Sequence, residues 1–311
     1  MARRPRSKAG RALKSAGDRI LGWLTVAALG LLRRLDRRRM ANMIGPLMRH
    51  VGPWLPEHRI GRNNLAAAFP DKSPEDIEKI LGGVWDNLGR YAAEFAHIDR
   101  MTIYNPSAPH QPADLDATYD ETTRDRFLQL RDSGRPSLVF SAHLANWELP
   151  ACAPRMLGMP TSILYRRPNI GATSDAIVAL RERCMGNMVA AGLDAPFRLG
   201  RALERGDHVA MLVDQHTTQG VDVVFFGRWA KANPLIAQLA RLTGAPIYGI
   251  RAIRLPDGNH FRGELTAEIA PVRGADGIID IQATTQAIAN VVEGWVREYP
   301  EQWLWLHRRW R

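Results

Sequence analysis

Apolar residues recur at helical spacing between positions 77 and 95. They fall three or four positions apart, which places them on one face of a helix. Ser73 precedes Pro74 and two acidic residues, an order typical of a helix N-terminus. The stretch therefore predicts an amphipathic helix whose apolar stripe packs on a core. The stripe consists of Ile77, Ile80, Leu81, Val84, Trp85, Leu88, Tyr91, Ala92 and Phe95.

From residue 137 onward, short apolar runs alternate with helical patterns. The runs "SLVFSA", "TSILYR", "HVAMLVDQ", "VDVVFFG", "IYGIRAIRL" and "GELTAEIAPV" predict strands. The segments "WELPACAPRML", "SDAIVALRERCMGNMVAAG", "PLIAQLARLTGAP" and "DIQATTQAIANVVEGWVREYP" predict helices between or after them. This alternation indicates an α/β fold with a central, mixed or mainly parallel sheet flanked by helices.

The pattern divides the chain into three predicted parts. Residues 105–120, rich in Pro, Asp and Ala, read as an exposed connection. We predict a basic membrane-anchoring segment over 1–40, a helical subdomain with its connection over 41–120, and an α/β catalytic domain over 121–311.

Positive charge is concentrated at the N-terminus. The 311 residues carry a formal net charge of +10, and residues 1–50 hold 13 Lys and Arg against two Asp. The rest of the chain is nearly neutral. The composition, 45% hydrophobic and 24% charged, is that of a globular protein and excludes collagenous or disordered classes.

The basic segment encloses the apolar run "ILGWLTVAALGLL" at 20–32. Thirteen helical residues reach about 20 Å, short of the ~30 Å hydrocarbon thickness of a bilayer. Basic residues on both sides favour a helix that lies in or dips into a leaflet, with its cations on anionic head groups. The alternative, nucleic-acid binding by the basic arm, is disfavoured because no recognition motif follows.

Polar residues lie at the ends of four predicted strands, at positions where a core would not place them. They are His143 with Glu148, Tyr165-Arg166-Arg167, Asp214-Gln215-His216, and Arg251 with Arg254. In α/β sheets, ligands bind where strands end and loops begin. A histidine near a carboxylate can form a general base, although residues five apart on a regular helix point about 140° away from each other. His143 and Glu148 can therefore meet only if the backbone changes from loop to helix between them. Cys152 and Cys184 lack metal-ligand spacing and read as reduced core thiols.

Five segments in register resemble one family. "SAHLANWEL", "ILYRRPN", "VDQHTTQGVDVVFFG", "ARLTGAPIYGI" and "YPEQWLWLHRRW" follow the order and spacing of bacterial lipid A biosynthesis late acyltransferases. The resemblance also covers the N-terminal segment and "IGRNNLAAAFPDKS", and thus nearly the whole chain. It implies an O-acyltransferase at the cytoplasmic face of the bacterial inner membrane. The implied donor is an acyl chain on acyl carrier protein and the acceptor a glycolipid hydroxyl, with no cofactor, metal or nucleic acid.

The resemblance also implies roles for individual residues. His143 takes the role of general base, and Glu148 that of orienting the imidazole. Arg166 would bind a phosphate of the acceptor or the developing oxyanion, and Arg167 ranks below it because it would point the other way on a strand. Asp214 would pair with Arg166 or orient His143. Trp147, Trp303 and Trp305 could line an acyl channel or pack in the core.

Two departures from the family pattern concern local shape. Asn233-Pro234 stands where a small-residue run is expected. Ala145 replaces a frequent Gly, which predicts a turn without positive φ. Other readings stay open: a same-fold acyltransferase acting on a phosphatidylinositol mannoside or a lysophospholipid, a thioesterase, and a non-catalytic membrane-bound adaptor.

Overall fold

The computed structural model describes residues 20, 22–106, 108, 110–167 and 171–310. The helices are α1 (22–32), α2 (Arg37–Val51), α3 (Pro56–Ala68), α4 (Pro74–Phe95), α5 (Glu121–Asp132), α6 (Leu149–Met156), α7 (Gly171–Cys184), α8 (Ala195–Glu204), α9 (Leu235–Thr243) and α10 (Ile281–Glu298). The strands are β1 (Ala117–Tyr119), β2 (Leu138–Ser141), β3 (Thr161–Tyr165), β4 (Asn187–Ala190), β5 (His208–Leu212), β6 (Val221–Phe225), β7 (Arg228–Ala232), β8 (Ile247–Arg254) and β9 (Phe261–Leu265).

One seven-stranded sheet organises this part of the chain. Its order is β1-β9-β8-β2-β5-β3-β4, and β6 and β7 form a separate antiparallel pair. Every neighbouring pair in the large sheet is parallel except β8 with β9. The predicted α/β class with a mainly parallel sheet flanked by helices is confirmed.

The central strands present different surfaces to the two sides of the sheet. Because side chains alternate along a strand, neighbours in sequence point to opposite faces. Leu138, Phe140 and Val209 are fully buried in the main core, where the ring of Phe140 stacks on Trp295 of α10. The opposite face, which carries Val139 and its cross-strand neighbours, borders a cavity. The sheet thus separates a packed core from an open apolar space.

Several local predictions are confirmed and others are wrong. The helix start at Ser73 is confirmed, because its hydroxyl accepts a hydrogen bond from the N–H of Asp76 at 3.1 Å. The single helix predicted over 174–192 is wrong, since α7 ends at Cys184 and the chain continues as β4. Gly186 lies so close to the backbone of Thr161 that a Cβ would clash. This close approach brings the chain back to the sheet.

The N-terminal helix α1 is docked by polar contacts at its end. Arg33 donates to both oxygens of Asp99 at 2.8 and 2.9 Å, and the Nε2 atom of His97 lies 2.9 Å from the carbonyl oxygen of Leu32. Trp23 of the same helix is 73% exposed. No helix within the described ranges has the length and apolar character needed to cross a bilayer. The basic residues of the predicted anchor up to position 19 lie outside the described residues.

Candidate active site

His143 and Asp214 meet at the carboxyl edge of the sheet. Each lies two residues beyond the end of its strand, His143 after β2 and Asp214 after β5, and these strands are parallel neighbours. Because the register pairs Ser141 with Leu212, the two side chains leave the sheet at the same level. The Nδ1 atom of His143 lies 2.8 Å from Oδ1 of Asp214, and the backbone N–H of His143 donates to Oδ2 at 2.9 Å. The topology therefore builds a histidine–carboxylate dyad.

Asp214 is enclosed by hydrogen-bond donors. Its side chain is fully buried, and the indole N–H of Trp303 donates to Oδ2 at 2.8 Å. Burial alone would raise the pKa of Asp214, but the charge and the hydrogen bonds of His143, together with the charge of the nearby His307, hold that pKa well below its ordinary value. Asp214 therefore stays ionised and can fix the orientation of the imidazole and stabilise its cation.

The other ring nitrogen of His143 faces an exposed side chain. Its Nε2 atom lies 3.1 Å from the amide nitrogen of Gln215. With the ring proton on Nδ1, directed at Asp214, the lone pair of Nε2 accepts from this amide. A hydroxyl that displaced Gln215 would present its proton to the same lone pair.

Glu148 binds Arg181 and Tyr91 instead of His143. Arg181 donates to the carboxylate through Nε at 2.9 Å and through Nη2 at 2.5 Å, and the Tyr91 hydroxyl donates to Oε1 at 2.9 Å. Burial, followed by the charge of Glu148, raises the pKa of Tyr91 well above its ordinary value, so the phenol stays a donor. The orienting contact expected from Glu148 is thus made by Asp214.

The aromatic ring of Trp147 contacts both groups of residues. Its indole stacks on the ring of Tyr91 with centroids 3.8 Å apart and lies 5.2 Å from the ring of His143. Glu148 follows at the start of α6, where its carboxylate is 96% buried beside α4 and α7. The backbone does change from loop to helix between His143 and Glu148, but the change directs the two side chains to different partners.

The turn after His143 is held by a buried polar network. Ala145 has φ of 47°, so the prediction of a turn without positive φ is wrong. Its carbonyl oxygen accepts from Asn87 at 3.3 Å, and its N–H donates to the carbonyl oxygen of Gln302 at 2.9 Å. Asn146 donates to Glu94 at 3.0 Å, and Arg254 forms an ion pair with the same carboxylate. These contacts fix the strained backbone that places His143.

Arg166 and Arg167 lie exposed at the opening of a cavity. Arg167 donates to the hydroxyl of Tyr165 at 3.3 Å. Of the two contacts considered for Asp214, the structure contains the one with His143, and among the described residues Arg166 makes none with Asp214. Arg251 lies away from this opening and pairs with Glu264 and Glu298. The two arginines of β8 thus serve the fold, while those after β3 face the opening.

The cavity has a volume of about 590 Å³ and lies between the sheet and helices α5 and α6. His143 and Trp147 line its mouth, and Phe127 and Leu265 lie farther in. Its volume falls within the range of about 300–1,000 Å³ that is typical of ligand pockets.

Of the tryptophans considered for an acyl channel, Trp303 and Trp305 are buried in the core. Their ring planes cross at 89°, in an edge-to-face contact.

Sequence reasoning missed Tyr91 and Arg181 as parts of this site. It considered Trp303 as a channel or core residue and missed its hydrogen bond to Asp214. Tyr91 fitted the apolar stripe of its helix, and Arg181 lay in a helix without a recognisable motif. The tryptophan-rich ending was the one signal for Trp303. In the described portion of the chain, no group of three or more His, Cys, Asp or Glu residues is placed to hold a metal ion.

The comparisons with known proteins agree on one family. The model of the bacterial lipid A biosynthesis acyltransferases matches residues 7–311. The chain is 25% identical over 260 residues to the lipid A biosynthesis palmitoleoyltransferase of Escherichia coli (strain K12), covering 81% of this chain and 78% of that protein. The same identity and coverage hold for the lipid A biosynthesis acyltransferase of Shigella flexneri. This chain is also 24% identical over 253 residues to the phosphatidylinositol mannoside acyltransferase of Mycolicibacterium smegmatis, and the match covers 80% of this chain and 78% of that protein.

Proposed function

Because the chain belongs to the bacterial lipid A biosynthesis acyltransferase family, we propose that it transfers a fatty acyl chain from acyl carrier protein to a hydroxyl of a lipid A precursor. The observation that carries this proposal is the His143–Asp214 dyad at the mouth of an apolar cavity. The cavity suits an acyl chain, and the dyad suits a hydroxyl that must lose its proton.

In this reaction His143 is the general base. Its Nε2 atom accepts the hydroxyl proton while the oxygen attacks the thioester carbon. When the tetrahedral intermediate collapses, the C–S bond breaks and the proton passes from Nε2 to the departing thiolate. Asp214 holds the ring through Nδ1 and stabilises the imidazolium that forms between these steps.

The arginines at the opening bind the anionic end of the acceptor. Arg166 and Arg167 are exposed there, and the planar guanidinium is suited to bidentate contacts with phosphate. Glu148 has a supporting role, because with Arg181 it ties α6 to α7 at the cavity wall.

The enzyme acts at the cytoplasmic face of the bacterial inner membrane. Three large apolar residues of α1, Trp23, Leu24 and Leu31, are exposed in the most basic part of the chain, as in segments that bind anionic lipid surfaces.

The test is an acyl-transfer assay on membranes that contain the wild-type protein or His143→Ala. Each receives acyl-acyl carrier protein, with and without a tetra-acylated glucosamine disaccharide acceptor, and products are measured by mass. We expect a new acyl ester that the substitution reduces by about 10²–10⁴-fold. His110→Ala, an exposed histidine outside the cavity, is the matched control.

Two other outcomes of this assay would redirect the proposal. Acyl release that does not depend on the acceptor would indicate a thioesterase, and undiminished transfer by His143→Ala would show that His143 is not the general base.

The similarity to a phosphatidylinositol mannoside acyltransferase favours one alternative, the same chemistry on another glycolipid. Parallel reactions with a phosphatidylinositol mannoside and a lysophospholipid separate these acceptors.

A further inference from the structure

Two cysteines lie in contact beside the cavity. The thiol of Cys152 on α6 donates to the sulfur of Cys184 on α7 at a Sγ–Sγ distance of 3.0 Å. Both are free thiols; Cys152 is buried and Cys184 is half-buried. The bonded S–S distance in a disulfide is about 2.05 Å. A relative movement of about 1 Å would therefore be enough for the sulfurs to bond.

The two helices are already held together on both sides of the pair. Arg181 of α7 binds Glu148 at the start of α6 through two hydrogen bonds. Arg155 of α6 donates to the carbonyl oxygens of Glu182 and Met185 at 2.8 and 3.1 Å. These contacts keep the sulfurs adjacent in the folded protein, and the partial exposure of Cys184 leaves it open to an oxidant.

We propose that Cys152 and Cys184 form a reversible disulfide that cross-links α6 to α7 at the wall of the cavity. The thiolate of Cys184 attacks one sulfur of a small disulfide oxidant and expels a thiolate. Cys152 then loses its proton and attacks the Cys184 sulfur of the mixed disulfide, expelling the second thiolate. Two protein thiols are oxidised and one disulfide is reduced to two thiols, so electrons and protons balance.

The environment of the two thiols sets the order of attack. The hydrogen bond with Cys184, followed by burial, raises the pKa of Cys152 well above its ordinary value. The buried thiol is therefore a poor first nucleophile, and it reacts once the mixed disulfide has formed beside it. The cross-link would close a loop that includes β3 and the two arginines at the cavity opening.

The test treats the full chain with oxidised glutathione, quenches with an alkylating reagent and measures the intact mass and the peptide map. We expect the wild type to lose two hydrogens and to yield one cross-linked peptide that joins positions 152 and 184, and dithiothreitol to reverse both changes. Cys152→Ser should stop at a glutathione adduct on Cys184, and Cys184→Ser should leave Cys152 unmodified. Full alkylation of both wild-type thiols after denaturation, or a glutathione adduct that never resolves, would overturn the proposal.

Thermal unfolding provides a second readout that requires no acyl-transfer activity. A cross-link restricts the unfolded chain, so oxidation should raise the Tm of the wild type and leave that of Cys184→Ser unchanged. An unchanged wild-type Tm together with a confirmed cross-link would mean that strain in the folded state offsets the gain, and it would overturn the inference that the folded helices hold the two sulfurs in position to bond. Because neither measurement involves substrate, the disulfide and the acyltransferase proposals can fail separately.

Discussion

The buried carboxylate of Asp214 accepts three hydrogen bonds. Replacing one of its two oxygens by a nitrogen should therefore disturb the His143–Asp214 dyad. In Asp214→Asn an amide nitrogen must replace one of the two oxygens. Because the backbone N–H of His143 and the indole of Trp303 both require an acceptor at Oδ2, the amide N–H₂ will face Nδ1 of His143. The imidazole of His143 must then carry its proton on Nε2. A protonated Nε2 has no free lone pair, so it cannot accept the proton of a hydroxyl.

We therefore expect Asp214→Asn to lower kcat by about 10³–10⁴-fold, as the wrong tautomer does in a serine protease triad. The KM for the acyl donor should change little, because Asp214 lies behind the imidazole and does not line the main cavity. Steady-state kinetics measures both constants. Asp222→Asn, an exposed aspartate on β6, is the control. A near-normal kcat would mean that Asp214 only supports the fold.

Trp303 is expected to act through Asp214, as a positioning residue. Trp303→Phe removes the indole donor, and a hydrogen bond to a charged group contributes about 1.5–3 kcal/mol, so kcat should fall by about 10–100-fold. A purely structural effect would add to that of Asp214→Asn, whereas two residues in one network should be non-additive. The measurement is a double-mutant cycle on kcat, with Tm recorded for each variant. Additive losses would contradict the coupling.

At the scale of elements, we expect the docking of α1 to depend on a buried histidine. His97 lies at the end of α4, and its Nε2 atom contacts the carbonyl oxygen of Leu32. Burial lowers the pKa of His97, and although the hydrogen bond to Leu32 opposes this shift, the cations Arg100, Arg33 and Arg37 add to it, so that the pKa stays below its ordinary value. In the undocked state the pKa returns toward about 6.5. The undocked state therefore binds the proton more readily, and docking is strongest above that pH and weakens as the pH falls.

We expect hydrogen exchange of the amides over 22–32 to accelerate between pH 7 and pH 5, after correction for intrinsic exchange. His97→Gln keeps a side-chain N–H donor without a titrating group, so its corrected exchange should be independent of pH in this range. Mass spectrometry of peptides from α1 and, as an internal reference, from α9 provides the measurement. Equal acceleration in both proteins would rule out His97 as the responsible group.

Some helices and strands can be predicted from their own residues, and others cannot. The start of α4 follows from Ser73 and Pro74, because capping chemistry is local. The three-residue strand β1 lay in the predicted connection, since it exists through its pairing with β9. The strand β4 was hidden in a helical pattern for the same reason. Short strands at a sheet edge take their stability from a partner that is distant in sequence.

The same distinction applies to the candidate site. His143 and Asp214 could be identified because each follows an apolar strand directly. The pairing of Glu148 with Arg181 and Tyr91 could not, since it depends on how α4, α6 and α7 pack. Ala145 misled the prediction because the absence of a positive φ was inferred from the residue type, whereas a buried network imposes a positive φ on this residue.

For the whole molecule, the cavity results from the difference between the two faces of the sheet. Across β2, β5 and β3 the register aligns Val139, Ala210 and Ile163, and all three line the cavity. Ala210 is the smallest of the row and occupies its centre, and it is half-buried although it lies on a central strand. A larger side chain at this position would extend into the cavity and leave the packed core on the other face intact.

We therefore expect Ala210→Phe to discriminate between donors by length. Transfer from a long acyl chain should fall by about 10-fold or more, since overfilling a packed contact costs about 1–3 kcal/mol, while a short chain that ends before Ala210 should be transferred as before. Because the phenyl ring fills empty space, Tm should be unchanged or higher.

The measurement is kcat/KM with acyl carrier protein that bears chains of graded length. Ala287→Phe, a half-buried position on α10 that does not line the cavity, is the control. Equal losses with short and long donors would show that the acyl chain does not enter this cavity, because only a chain that reaches Ala210 can sense what replaces it.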